Sequence, residues 1–244
     1  MRWQLLGERR AVTLLVLGFY TTIFVLTALA MGGAWTKCFL ALALVYGVAF
    51  FGIAAEWFWG RWYAMGIGIG GITTAIIGLV SVGMEPGLLL WLGLHLLIYL
   101  PLLGDSMADR YENQEAWRQR YGLDRHGKER LRRAVVGAAT GLPSLVLFAL
   151  APRQESLIYA GVALVAGLGV VGLLRMRFWG VTLLGLSLAG LAAGVGTGGA
   201  IGCSVAGAVL PLPMWGLSLV AALGLSAAVS PFIIPAYRFL KSGD

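Results

Sequence analysis

Charge is what this chain has least of. Only 12% of its 244 residues are Asp, Glu, Lys or Arg, against about 25% in an ordinary water-soluble domain. A surface that poor in charge excludes a freely soluble globule. Histidine and cysteine are scarcer still, at two each, too few for a metal framework within one chain. No carboxylate falls in the middle of an apolar run, which counts against ion-coupled transport, where a buried Asp or Glu is expected. No cofactor is predicted, and the chain carries no catalytic signature. The net charge of +7 needs no nucleic acid to explain it.

What is abundant is apolar surface and glycine. The sequence is 59% hydrophobic with 36 glycines, and its mean hydropathy is +0.85. A membrane span needs about 20 mostly apolar residues. Eight such runs are read, at 11–31, 38–56, 63–83, 87–103, 134–150, 156–174, 181–199 and 213–237. The expected fold class is therefore all-α, a polytopic integral membrane bundle. Three regions follow: a first four-helix half at 1–104, a connector at 105–133, and a second four-helix half at 134–244.

Threaded this way, sixteen of the eighteen Lys and Arg fall on one side, leaving Lys37 and Arg153 on the other. Basic residues flanking spans are retained in the cytoplasm. Both termini and the connector are thus expected there, in a bacterial-type inner (plasma) membrane. Trp and Tyr favour the membrane–water interface. Trp57, Trp59, Trp62, Tyr63, Trp179 and Tyr237 fall at the expected inner boundary, and Trp35, Trp91, Tyr159 and Trp215 near the outer one. A rival reading of the N-terminus is a signal peptide cut near Ala28-Leu29-Ala30. Its apolar run is long for that role and Glu8 sits in the segment that should be basic.

Phe58-Trp59-Gly60 and Phe178-Trp179-Gly180 recur 120 residues apart, and Gly52, Gly70 and Gly78 match Gly172, Gly190 and Gly198 at the same offset. These matches suggest parallel repeats; glycine-rich composition and interfacial aromatics are the alternative. Pairs four apart, such as Gly66/Gly70 and Gly190/Gly194, suit close helix crossings. Gly66-x-Gly68-x-x-Gly71 satisfies a dinucleotide fingerprint by spelling, but it lies inside an apolar run with no strand before it.

Candidate functional residues are few. His95 is the one ionisable group expected deep in the bilayer, with Tyr99 four residues on. It reads as a cofactor ligand, proton relay or substrate contact, or simply as a neutral imidazole bonded to Tyr99 or a facing Thr or Ser. Thr73, Thr74, His95, Tyr99 and Ser187 are the polar residues that could line a pathway between the halves. Cys38 and Cys203 are both expected at the outer face, as a disulfide or as two thiols. Gly202-Cys203-Ser204 is similar to the Gly-x-Ser of intramembrane serine proteases, but His95 precedes the serine, the wrong order for that chemistry. The apolar stretch 195–213 is expected to re-enter the protein or lie against the helix tops.

Within the connector, Met107, Tyr111, Trp117 and Tyr121 approximate one helical face, which Gly122 would end. With 8 basic and 6 acidic residues the segment is no polybasic lipid tract. It reads either as a connector flat on the headgroups or as a docking surface for a membrane or cytosolic protein. Three functional classes follow. The chain is an accessory, scaffold or regulatory component acting through this loop; or a passive transporter or channel for a small or lipid-soluble molecule; or a membrane enzyme or cofactor-binding subunit centred on His95.

Overall fold

The computed structural model describes residues 2–112, 114, 117, 121–122, 124–152, 156–194, 200–205 and 208–241. Nine α-helices are found among the described residues: α1 Arg2–Met31, α2 Gly33–Ala54, α3 Gly60–Val82, α4 Pro86–Tyr99, α5 Asp105–Glu112, α6 Arg125–Leu150, α7 Ser156–Leu174, α8 Phe178–Gly194 and α9 Met214–Lys241. Six of them (α1, α2, α3, α6, α7 and α9) are long and apolar enough to cross a membrane. The other two expected spans are weaker. The helix α4 has 14 residues and passes the same test only together with α5, across a 75° bend. Pro101, in the one 3-10 turn that follows α4, removes an N–H that a continuing helix would need. The helix α8 has 17 residues.

The chain is not helical throughout. Part of the apolar 195–213 stretch forms a hairpin, β1 Ala200–Val205 against β2 Ala208–Pro213, antiparallel with Cys203 opposite Leu210. An apolar segment in hydrocarbon must satisfy its backbone internally, and strand pairing does that where helix does not form. Leu210 and Leu212 are buried, so the hairpin folds back onto the helices. The expected fifth span is also longer than its apolar core. The basic stretch before it belongs to α6, whose N-cap Asp124 accepts a hydrogen bond from the Gly127 N–H at 2.7 Å.

Close approach through glycine organises the bundle. On α3, Gly66 and Gly70 face α6: a Cβ on Gly66 would stand 2.5 Å from the Val136 carbonyl, and one on Gly70 would stand 2.3 Å from that of Thr140. The same helix turns Gly68 and Gly71 to α4, where a Cβ on Gly71 would fall 1.8 Å from the His95 ring. On α6, Gly141 meets Gly224 of α9 backbone to backbone. The result is a stack α4–α3–α6–α9 in which backbones replace side chains at the contacts. Thr74 of α3 and Ser144 of α6 share a buried hydrogen bond at 3.0 Å within it.

The recurring turns have the same backbone. Glu56 and Met176 are the two non-glycine residues of positive φ among those described, at 53° and 55°. In each, the N–H of the next residue donates back to a glycine carbonyl, Trp57 to Gly52 at 3.0 Å and Arg177 to Gly172 at 2.8 Å. That bond across five residues is the Schellman closure of a helix end. Trp59 and Trp179 then lie against Gly52 and Gly172, where any side chain would collide with the ring. Gly198, the last of the offset matches, lies outside the described residues.

Gly71→Ala should force His95 out of its seat and lower stability by about 2–3 kcal/mol, as overpacking does. Gly93→Ala, on an open face of α4, should be neutral or stabilising. Thermal unfolding of the purified protein in one detergent checks both.

Candidate functional site

His95 lies wholly buried where α1, α2, α3 and α4 meet. Its Nδ1 donates to the Trp91 carbonyl at 2.8 Å, since a carbonyl can only accept. Nε2 therefore accepts, and the Tyr46 hydroxyl donates to it at 2.7 Å. The Tyr20 hydroxyl stands 3.2 Å from Nδ1. Tyr20, Tyr46 and Trp91 surround the imidazole with ring centroids 4.9, 6.0 and 4.6 Å from it, and Phe24 packs against these three rings. This is a neutral histidine with its nitrogens satisfied. Besides the Trp91 carbonyl on its own helix, its partners come from α1 and α2, not from Tyr99, which no spacing rule along α4 could reveal. The same contacts place Leu17, Tyr20 and Phe24 of α1 in the core, so cleavage after Ala30 would open it.

The other expected residues scatter. Thr73 bonds the Ile69 carbonyl on its own helix and Ser187 that of Leu183. Thr74 is taken up by Ser144. Cys38 is buried with its thiol 3.9 Å from the Val146 carbonyl. The side chains of Cys203 and Ser204 lie outside the described residues, as does Arg153. Among the described residues no group of three His, Cys, Asp or Glu could hold a metal ion.

Polar chemistry concentrates instead at one end of the bundle, where α5 packs beneath α2 and α3. Met107 and Tyr111 are fully buried there, and the Tyr111 hydroxyl donates to the Ile53 carbonyl at 3.2 Å. Burial pushes the Tyr111 phenol up from its ordinary value of 10.0, against the pull of Arg10 and Arg110. It stays a neutral donor. These two side chains anchor the segment rather than face outward.

Two charge clusters clamp the same segment. Glu56 pairs with both Arg10 of α1 and Arg110 of α5, the latter at 2.6 Å. Arg61, five residues on, turns elsewhere, donating to the Leu102 carbonyl at 2.8 Å and pairing with Glu112. Lys128 of α6 closes on the other Glu112 oxygen at 3.3 Å. The Arg61–Glu112 pair is nearly dry, with side chains only 8% and 6% exposed. A buried ion pair contributes little net stability, but removing one member strands the other.

Beside this clamp opens a pocket of about 420 Å³ lined by Phe58, Trp62, Trp117, Tyr121, Lys128 and Met176, among others. Trp117 stacks on Tyr121 with centroids 6.0 Å apart, and both lie 5.5 Å from Phe58. The indole N–H groups of Trp62 and Trp117 are buried without a hydrogen-bond partner among the described residues. A buried orphan donor is uncommon and marks either a missing acceptor or strain. Trp117 and Tyr121 were legible as aromatic residues of one helix face; Phe58 and Trp62 passed as interfacial aromatics. Trp62 and Tyr63 are in fact 1% exposed, inside the protein and not at its lipid boundary.

Compared with known protein families, curated proteins and solved structures, the chain matches none.

Glu112→Gln should leave Arg61 buried without a counter-charge, at a cost of about 3–5 kcal/mol. Limited proteolysis should then cut between residues 105 and 128 at least tenfold faster than in the wild type. Arg132→Gln, on an exposed pair, should leave that rate unchanged.

Proposed function

We propose that this protein is an accessory or scaffold component of a bacterial-type inner membrane, crossing it eight times with both ends in the cytoplasm. It would hold a partner protein on the cytoplasmic face formed by residues 105–133 and the two helix-end turns. The single observation that supports this reading most is the aromatic pocket with two unpartnered indole donors, held by a dedicated ionic clamp. A loop that merely connected two spans would need neither. The orphan donors suit a partner offering carbonyl or carboxylate oxygens, and the aromatic rim suits an apolar side chain between them.

The eight-pass topology accords with the charge distribution. Arg10, Arg61, Arg110 and Lys128 all gather at the clamp, as retention of basic residues in the cytoplasm requires. On this reading α4 and α8 complete the eight spans, within the apolar runs 87–103 and 181–199. The halves 1–104 and 134–244 are related repeats, supported by the identical closure of the two turns at Glu56 and Met176. The passive-pathway and His95-centred readings draw less support, because the imidazole is enclosed by its own hydrogen bonds and rings.

A photo-crosslinking residue at position 121 should give one discrete adduct in cells, and the double change Trp117→Ala/Tyr121→Ala should abolish partner co-purification while leaving thermal unfolding within about 1 kcal/mol of wild type. Unaltered association in that variant would remove this surface from consideration.

A further inference from the structure

A second, larger groove of about 780 Å³ runs between α3, α6 and α9, and its lining changes character along its length. At the clamp end it is lined by Arg132, Arg133, Glu129 and Arg61; further along come Met65, Ile69, Val220 and Leu223. The hydroxyls of Thr73 and Thr140, which also line it, bond back to carbonyls of their own helices, so the body is effectively apolar. From Arg61 to Thr73 the helix advances roughly 18 Å at 1.5 Å per residue. Half of a hydrocarbon core is about 15 Å. The groove therefore has the depth of one leaflet, with its charges at headgroup level.

The charges at its mouth do not cancel. One Glu129 oxygen serves both Arg132 at 3.0 Å and Arg133 at 3.1 Å, and these guanidinium side chains remain 45% and 69% exposed. The triad carries one net positive charge. Arg61 is balanced separately by Glu112. Trp62, 1% exposed, also lines this groove, and its indole proton has no acceptor among the described residues.

We propose that the groove holds an anionic glycerophospholipid of the inner leaflet. Its headgroup phosphate sits against Arg132 and Arg133, the Trp62 N–H donates to a headgroup or ester oxygen, and one acyl chain lies along Ile69, Val220 and Leu223. Charge complementarity selects the headgroup, and the apolar length selects a lipid over a free phosphate. Trp62 borders both this groove and the aromatic pocket, and its one N–H can serve a single occupant, but Arg132, Arg133 and the apolar length line the groove alone.

Native mass spectrometry of the delipidated, full-length protein in detergent tests it, with dioleoylphosphatidylglycerol or dioleoylphosphatidylcholine added. The wild type should retain phosphatidylglycerol at least tenfold better than phosphatidylcholine. Arg132→Gln/Arg133→Gln should reduce that preference about fivefold or more, since each basic contact adds roughly that factor. Glu129→Gln, which frees both guanidiniums, should increase it. Ala227→Phe, which fills the groove, should weaken retention of both lipids, and millimolar inorganic phosphate should displace neither. Equal retention of the two lipids by the wild type, or a preference untouched by the arginine and glutamate changes in variants that unfold at the wild-type temperature, overturns the proposal, as does displacement by phosphate.

Discussion

Everything at the charged end of this bundle depends on how a few ions survive next to hydrocarbon. Removing a charge from water costs several kcal/mol unless a counter-charge and hydrogen bonds replace the solvent. Two carboxylates meet that constraint in the same manner, each shared by two cations: Glu56 by Arg10 and Arg110, Glu112 by Arg61 and Lys128; Glu129 is shared likewise by Arg132 and Arg133, in a cluster that stays exposed. Each cluster is locally neutralised yet keeps one positive charge. The chain thus retains the excess of basic residues that orients a membrane protein while holding α1, α3, α5 and α6 in register. The clamp is what fixes α5 against α3 and α6.

Above the clamp the bundle follows a different rule. Hydrocarbon provides no hydrophobic drive between helices, so packing and close backbone approach must hold them. The helix α3 does this on two faces, with Gly66 and Gly70 against α6 and Gly68 and Gly71 against α4. The second face makes room for His95. Its imidazole occupies the space that a Cβ on Gly71 would take, and its polarity is absorbed by Tyr46, Tyr20 and the Trp91 carbonyl. A polar residue in the apolar layer is in this way made part of the packing.

How far the sequence could be read follows from the range of each interaction. Apolar runs and glycine spacing are local, so the long helices and a close crossing at Gly66 and Gly70 are legible, whereas the identity of the partner helix is not. The repeat of Phe-Trp-Gly was legible as a motif, and its Schellman closure became visible only in the backbone. Partners distant in sequence were not legible: Tyr20 and Tyr46 lie 75 and 49 residues from His95, and Glu112 lies 51 from Arg61. Met107 and Tyr111 were recognised as one helical face, but which way that face turns depends on Ile53 and on the charges around it. The hairpin at 200–213 was hidden because an apolar, glycine-rich stretch has no alternation to betray its strands.

The orientation of the charged end bears most directly on this account, because clamp, pocket and groove all take their meaning from the cytoplasmic orientation proposed for them. Cysteine placed at Gly122 and, separately, at Gly83 should be challenged in intact cells with a membrane-impermeant maleimide, with unsubstituted protein as the background. The account predicts labelling at position 83 in intact cells and at position 122 only after the membrane is opened. Labelling of position 122 from outside, with position 83 protected, would contradict it.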